Sequence, residues 1–214
     1  METLVAPPQL PASIDELEDD VILRIPATYD DYLDVVDTIP YPIQFLDGEI
    51  LIMSQATDTH EQLVGRLIKL FAIYFDELDN YRVLGSNVKI VIPERKGDFN
   101  ADLSVVHGPS EYGATRTGQA TKVRLTNPYI VAEVLSKGTR NFDMGGKLLA
   151  YQTIASLHHI LMVDQQAVQI SVCSRTNQPD QWLLTYYHQL TDVVPLGDFS
   201  LPLADIYRRI DLSA

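Results

Sequence analysis

A carboxylate in the middle of an otherwise apolar strand leaves few ways for a chain to fold. This chain has one in residues 128–164, PYIVAEVLSKGTRNFDMGGKLLAYQTIASLHHILMVD. Tyr129, Ile130, Val131 and Ala132, then Val134 and Leu135, make the near-continuous apolar run of a strand covered on both faces. Glu133 interrupts it. Burying an ionised carboxylate costs several kcal/mol unless a cation, a metal or hydrogen-bond donors compensate. After a polar turn, a helical segment carries Asp143 and, four residues on, Lys147. Residues 160–163, Ile-Leu-Met-Val, read as a second strand. Two readings fit the pattern: Glu133 and Lys147 belong to a metal-dependent site, or they form a buried structural ion pair.

The 214 residues allow one sizeable domain, and a hydrophobic content of 46% supplies its core. No apolar run approaches the roughly 18 residues of a membrane span. The opening METLVAPPQLPASIDELEDD lacks the basic start and apolar run of a signal peptide. Cys173 is alone, which excludes an intramolecular disulfide and a cysteine-rich zinc site. Its alternating surroundings suit a small apolar filler better than a nucleophile, and a reducing cytoplasm is the expected compartment. Twenty-nine acidic against 16 basic residues give a net charge of −13. That balance argues against an open, non-specific nucleic-acid surface, which needs Lys and Arg to neutralise phosphates, but it permits a local basic cleft.

In chain order, the prolines and acids of residues 1–24 predict a loosely draped arm ahead of a single domain over 25–214. Thr28, with Asp31 three residues on, starts a helix that Pro40 and Pro42 close. Asp47-Gly48 between two apolar runs predicts a hairpin. From about 59 to 79 the spacing of Leu63, Val64, Leu67, Phe71, Tyr74 and Phe75 is helical. His60 opens that stripe, where a histidine is ordinarily a satisfied core or capping residue. Residues 82–84 and 88–92 suggest a further hairpin, 93–100 a charged loop, and 101–106 a short strand led by Asp102. A polar excursion over 107–126 offers Arg116, Lys122 and Arg124 as anion contacts, against the plainer reading of a solvated loop. A helix is expected over 142–154 despite Gly145-Gly146. Residues 167–174 and 182–189 read as an antiparallel pair, and 201–210 as a short closing helix. One strand–helix–strand crossover within a mostly antiparallel set places the chain in the α/β or α+β class, with a mixed sheet flanked by helices.

Asp102 and Glu133 on separate strands can converge on a divalent cation, since Mg²⁺ takes oxygen ligands and keeps several waters. A nearby lysine can then orient water or stabilise charge growing on a phosphate. Taken alone, D-x₃₀-E-x₁₃-K is a weak signal. In sequence order, however, LDGEILIMS, His60, ADLSVV, IVAEVLS, Asp143, GGKLLAY and ILMVD together resemble the Uma2 family. This family, also called DUF820 and numerous in cyanobacteria, comprises restriction-endonuclease-like proteins of the PD-(D/E)xK nuclease superfamily. The resemblance spans about residues 28–210. It implies a restriction-endonuclease-like mixed central sheet flanked by helices, with additional antiparallel hairpins.

By the same resemblance Asp102 and Glu133 bind Mg²⁺ or Mn²⁺, Lys147 is catalytic and His60 joins them. The implied reaction is hydrolysis of phosphodiester bonds in nucleic acid, DNA in the first instance. The resemblance also implies dimerisation, for which the hairpin near Trp182 is the candidate interface. Two departures stand out. The lysine of the wider fold follows the second acid by two residues, where this chain has Leu135, so Lys147 must reach the site from the next helix. Gln44 occupies a position where many relatives carry glutamate, which removes one acid. The alternatives are a catalytically weak or inactive binding or assembly module that retains the fold, and a hydrolase of a small phosphate ester.

Overall fold

The computed structural model describes residues 8–15, 17–18 and 21–212. The remainder of the expected arm, including residues 1–7, lies outside the described residues. Strand β1 (Ile22–Pro26) precedes α1 (Tyr29–Val35), whose N-terminus is closed by a capping box between Thr28 and Asp31. Strands β2 (Gln44–Leu46) and β3 (Glu49–Met53) form the expected hairpin. Asp47 and Gly48 both adopt positive φ there, 50° and 88°, as a tight two-residue turn requires. The long helix is α2 (Asp58–Phe75), capped by the Thr57 hydroxyl, with Leu63, Val64, Leu67, Phe71 and Phe75 buried along one face.

The middle of the chain corrects several expectations. Strands β4 (Tyr81–Gly85) and β5 (Lys89–Ile92) do not pair with each other. After a 3₁₀ turn, residues 97–100 form β6 (Gly97–Asn100) instead of a loop, and β5 pairs with it. Strand β4 pairs with β7 (Leu103–His107) in a different sheet. The polar excursion is also structured, as β8 (Tyr112–Ala114) and β9 (Ala120–Leu125). Arg124 explains its ordering: the side chain is fully buried and pairs with buried Asp98, so it is a structural cation and not an anion contact. Arg116 bridges Asp30 and Asp34 of α1, each at 2.7 Å. Of the three cations proposed there, Lys122 is exposed and makes no such pair among the described residues.

Strand β10 (Ile130–Leu135) leads into α3 (Arg140–Phe142), a π-helical turn over Asp143–Lys147 and α4 (Leu148–Tyr151). The Leu148 N–H reaches back to the Asp143 carbonyl, five residues earlier. A Cβ on Gly146 would stand 3.3 Å from the Leu46 side chain, so this glycine lets the turn lie against β2. Strand β11 (His159–Asp164) then runs parallel to β10, and β12 (Ile170–Arg175) and β13 (Trp182–Tyr187) continue antiparallel. The closing segment departs from the expected helix. It is mostly a hairpin, β14 (Val193–Leu196) and β15 (Phe199–Pro202), followed by the single turn α5 (Leu203–Ile206).

The central sheet is six-stranded and mixed, in the order β13-β12-β11-β10-β7-β4. A seven-stranded sheet, β1-β3-β2-β6-β5-β9-β8, packs beside it. Alternation along β10 explains the layers. Ile130, Ala132 and Val134 face a core shared with α2, the β14–β15 hairpin and α5. Val131 and Leu135 face a second core that includes Phe99 of β6 and Leu148, Ala150 and Tyr151 of α4. Glu133 lies in this second set by the two-residue period of the strand. A third cluster, on Tyr32, Phe45, Ile50 and Ile52, is covered by Leu10, Ile14 and Leu17 of the arm.

Candidate active site

The four residues singled out from sequence meet at one end of the six-stranded sheet. Glu133 is 3% exposed and Lys147 2%. The Lys147 Nζ donates to Glu133 Oε1 at 2.8 Å and lies 3.5 Å from Asp143 Oδ1. The Tyr151 hydroxyl donates to the same Glu133 Oε1 at 2.6 Å. Lys147 and Tyr151, four residues apart, thus both reach a single strand carboxylate, and Asp143, one turn earlier, flanks the lysine. Both contacts fall on Oε1, which leaves Oε2 to neither. The ammonium also lies 5.6 Å from the Phe99 ring centroid, a cation–π distance.

Asp102 occupies the residue before β7, which runs antiparallel to β10 and so brings it to the same end. Its Oδ2 accepts from the Val134 backbone N–H at 2.7 Å, and Oδ1 lies 3.3 Å from His60 Nε2. His60 arrives from the first turn of α2, where its own N–H donates to the capping Thr57 hydroxyl. These two side chains are the more open part of the cluster, 16% exposed for His60 and 17% for Asp102.

Electrostatics follow from burial. Burial pushes the Glu133 carboxyl up to about 8 against the opposing pull of Lys147, and the nearby Asp102 and Asp143 add to the rise. Asp143 is raised by burial as well. For Lys147, burial favours the neutral amine, but Glu133 and Asp143 outweigh it and hold the ammonium. For His60, burial likewise favours the neutral ring, and the Asp102 hydrogen bond and charge more than offset it.

A cleft of about 250 Å³ opens over the cluster, with Gln44, His60, Asp102, Glu133, Asp143 and Lys147 in its wall. Among the described residues no group of three His, Cys, Asp or Glu side chains is arranged to cage a metal. Mg²⁺ does not require such a cage; it is commonly held by one or two carboxylates with waters completing an octahedron. Asp102 and Glu133 fit that all-oxygen, water-rich mode, and the donor set does not suit a soft metal. Sequence reasoning missed Tyr151 as a partner of Glu133, although its place four residues after Lys147 marks the same helix face. It also missed the neutral polar wall formed by Thr57, Asn100 and Gln165.

Comparison with known proteins agrees with this architecture. A structure described as a putative nuclease belonging to DUF820, from Anabaena variabilis ATCC 29413, superposes with a TM-score of 0.67. The match covers 86% of this chain and 98% of that one at 14% identity, a likeness of fold. Two uncharacterised proteins of Synechocystis sp. (strain ATCC 27184 / PCC 6803 / Kazusa) are similar in sequence. One is 30% identical over 169 residues, 78% of this chain and 84% of its own; the other is 28% identical over 142 residues, 66% and 76%. The family model for Uma2, described as "Putative restriction endonuclease", matches residues 29–204. That span runs from α1 to the start of α5 and takes in every residue of the cluster, and the chain belongs to the Uma2 family.

Proposed function

We propose that this chain is a metal-dependent nuclease that hydrolyses phosphodiester bonds, with Asp102 and Glu133 holding Mg²⁺ or Mn²⁺ and Lys147 acting at the reacting phosphate. The observation that carries the reading is the meeting of Asp102, Glu133 and Lys147 in one cleft, from two strands and a helix. A bound divalent ion would supply Lewis-acid polarisation of a phosphoryl oxygen and a more acidic water. The chain's own groups do the rest. Lys147, held as an ammonium against Glu133, offers a fixed positive charge and hydrogen-bond donor where negative charge develops. The Val134 N–H orients Asp102 through Oδ2, and His60 stands on its other oxygen, ready to move a proton at the cleft mouth. Tyr151 fixes the rotamer of Glu133.

The test is cleavage by purified protein of single- and double-stranded DNA and of RNA, with Mg²⁺ or Mn²⁺. Cleavage that needs the metal and disappears in Glu133→Ala and Lys147→Ala is the expected result. Absence of cleavage of all three substrates with either metal would refute the reading. One observation favours a second reading, a binding module that keeps the fold: the Glu133, Lys147, Asp143 and Tyr151 network is internally paired as it stands. A calorimetric titration separates the two, since that module would bind neither Mg²⁺ nor Mn²⁺. Dimerisation through β13 belongs to this proposal as well. Leu183, Leu184 and Tyr186 are exposed on that edge strand, and its oligomeric state is read by sedimentation. Among the described residues no helix is long and apolar enough to cross a membrane.

A further inference from the structure

The depth and lining of the cleft bear on which nucleic acid can enter. Lys147 and Glu133 are almost wholly covered, and the route to them is a cleft of about 250 Å³. A phosphodiester within a duplex is fixed on the surface of a wide, stiff cylinder, and its paired neighbours keep it from descending into a hole of that size. An unpaired strand has no such restriction; its backbone can bend inward and its bases can splay out.

The chemistry of the wall points the same way. Among the described residues Lys147 is the single Lys or Arg in the lining, so the wall offers no row of cations to track a phosphate backbone. Apart from Lys147, His60 and the carboxyl groups of Asp102, Glu133 and Asp143, its polar members are neutral, with the carboxamides of Gln44, Gln55, Asn100 and Gln165 among them. Most of these have partners. Asn100 is held by Lys89 at 2.8 Å and by the Ser86 carbonyl at 2.6 Å, Gln55 donates to Asp15 at 2.9 Å, and Gln165 accepts from Thr57 at 3.1 Å. Gln44 differs. Its side chain is 7% exposed, its Nε2 reaches only the Met53 thioether at 3.4 Å, and its buried Oε1 has no hydrogen-bond partner. Whichever way the amide is turned, one strong polar group in the wall is left wanting a partner. Carboxamides pair with base edges through their donor and acceptor together.

We infer that the cleft takes one nucleotide of an unpaired nucleic-acid strand, with the Gln44 carboxamide hydrogen-bonded to its uncharged part, the base or the sugar. The inference rests on the hydrolytic reading above and makes Gln44 a specificity-determining residue. Exposed Lys137, in the loop between cleft-lining Ser136 and Thr139, is the cation placed to meet a phosphate of the strand outside the cleft.

Fluorescence anisotropy with a short fluorescein-labelled oligodeoxynucleotide, single-stranded or annealed to its complement, tests this with Ca²⁺ in place of Mg²⁺. The single strand is expected to bind at least about tenfold more tightly than the duplex. Gln44→Leu is expected to weaken single-strand binding about tenfold. The thermal midpoint of that variant should hold or rise, because an apolar side chain replaces an unpartnered buried amide. Gln44→Met provides a second, unbranched replacement should leucine disturb packing. Equal or tighter duplex binding, undiminished binding by both variants, or no binding of either strand form would overturn the inference. The cleavage assay fails separately. Metal-dependent cutting of duplex and single strand alike refutes the single-strand inference and leaves the hydrolytic reading standing. Loss of all cutting refutes the hydrolytic reading, and the anisotropy result still decides whether an unpaired strand enters.

Discussion

Replacing Lys147 with methionine keeps the length of the buried chain and deletes its charge. In the wild type the ammonium serves two carboxylates, Glu133 at 2.8 Å and Asp143 at 3.5 Å, all three side chains being 5% exposed or less. The variant leaves both acids buried without a cation, a change that costs about 3–5 kcal/mol. For a domain of this size each kcal/mol lowers the midpoint by roughly 2–4 °C, so the fall is on the order of 6–20 °C. Glu133→Leu, which strands the ammonium with Asp143 alone, is destabilising for the converse reason. The double variant removes both members of the pair. It should therefore be more stable than the sum of the singles by at least about 2 kcal/mol. Urea denaturation at constant m-value measures all four species. Additive single effects, or a cost below about 1 kcal/mol for Lys147→Met, would refute the claim that this pair is buried and coupled.

Other outcomes follow from the same geometry. Tyr151→Phe removes a hydrogen bond to a buried carboxylate and should cost about 1.5–3 kcal/mol in the same denaturation experiment. Arg124→Met breaks the buried pair with Asp98 and should cost about 3–5 kcal/mol, while single-strand affinity by anisotropy stays unchanged. His159, which burial and neighbouring His158 lower to about 4, binds fewer protons folded than unfolded between that value and 6.5. Its contribution to stability is thus full above about pH 6.5 and is lost as pH falls towards 4. The stability difference between wild type and His159→Asn, followed by denaturation across that window, should shrink on acidification and stay flat above it.

Much of the site was legible because strand and helix periods are strict. A lone glutamate in a doubly covered strand has to find a partner, and Asp143 and Lys147 at a spacing of four belong to one helix face. The Asp-Gly turn, the Thr28 box and the stripe of α2 are local signals, and each marks its element. What local patterns do not carry is partner choice between strands. Strands β4 and β5 are adjacent in sequence and look like a hairpin, yet they enter different sheets, because β4 finds β7 and β5 finds β6. The hairpin β8–β9 was hidden for a related reason. Its polar composition reads as a loop until Arg124 meets Asp98 across the sheet, a contact set by tertiary structure alone. The π-helical turn is signalled only indirectly, by a glycine pair of which Gly146 packs against Leu46. The composition of 201–210 suggests a helix, whereas β15 pairs with β14 and leaves only a terminal turn.

On the proposed reading Asp102 and Glu133 share one divalent ion beside Lys147. Anomalous diffraction from crystals soaked in Mn²⁺ tests it most directly. The expected result is a single strong peak between the two carboxylates, with Lys147 Nζ within hydrogen-bond reach of a water on that ion. A cleft without a peak, or a peak that either carboxylate fails to reach, would contradict it.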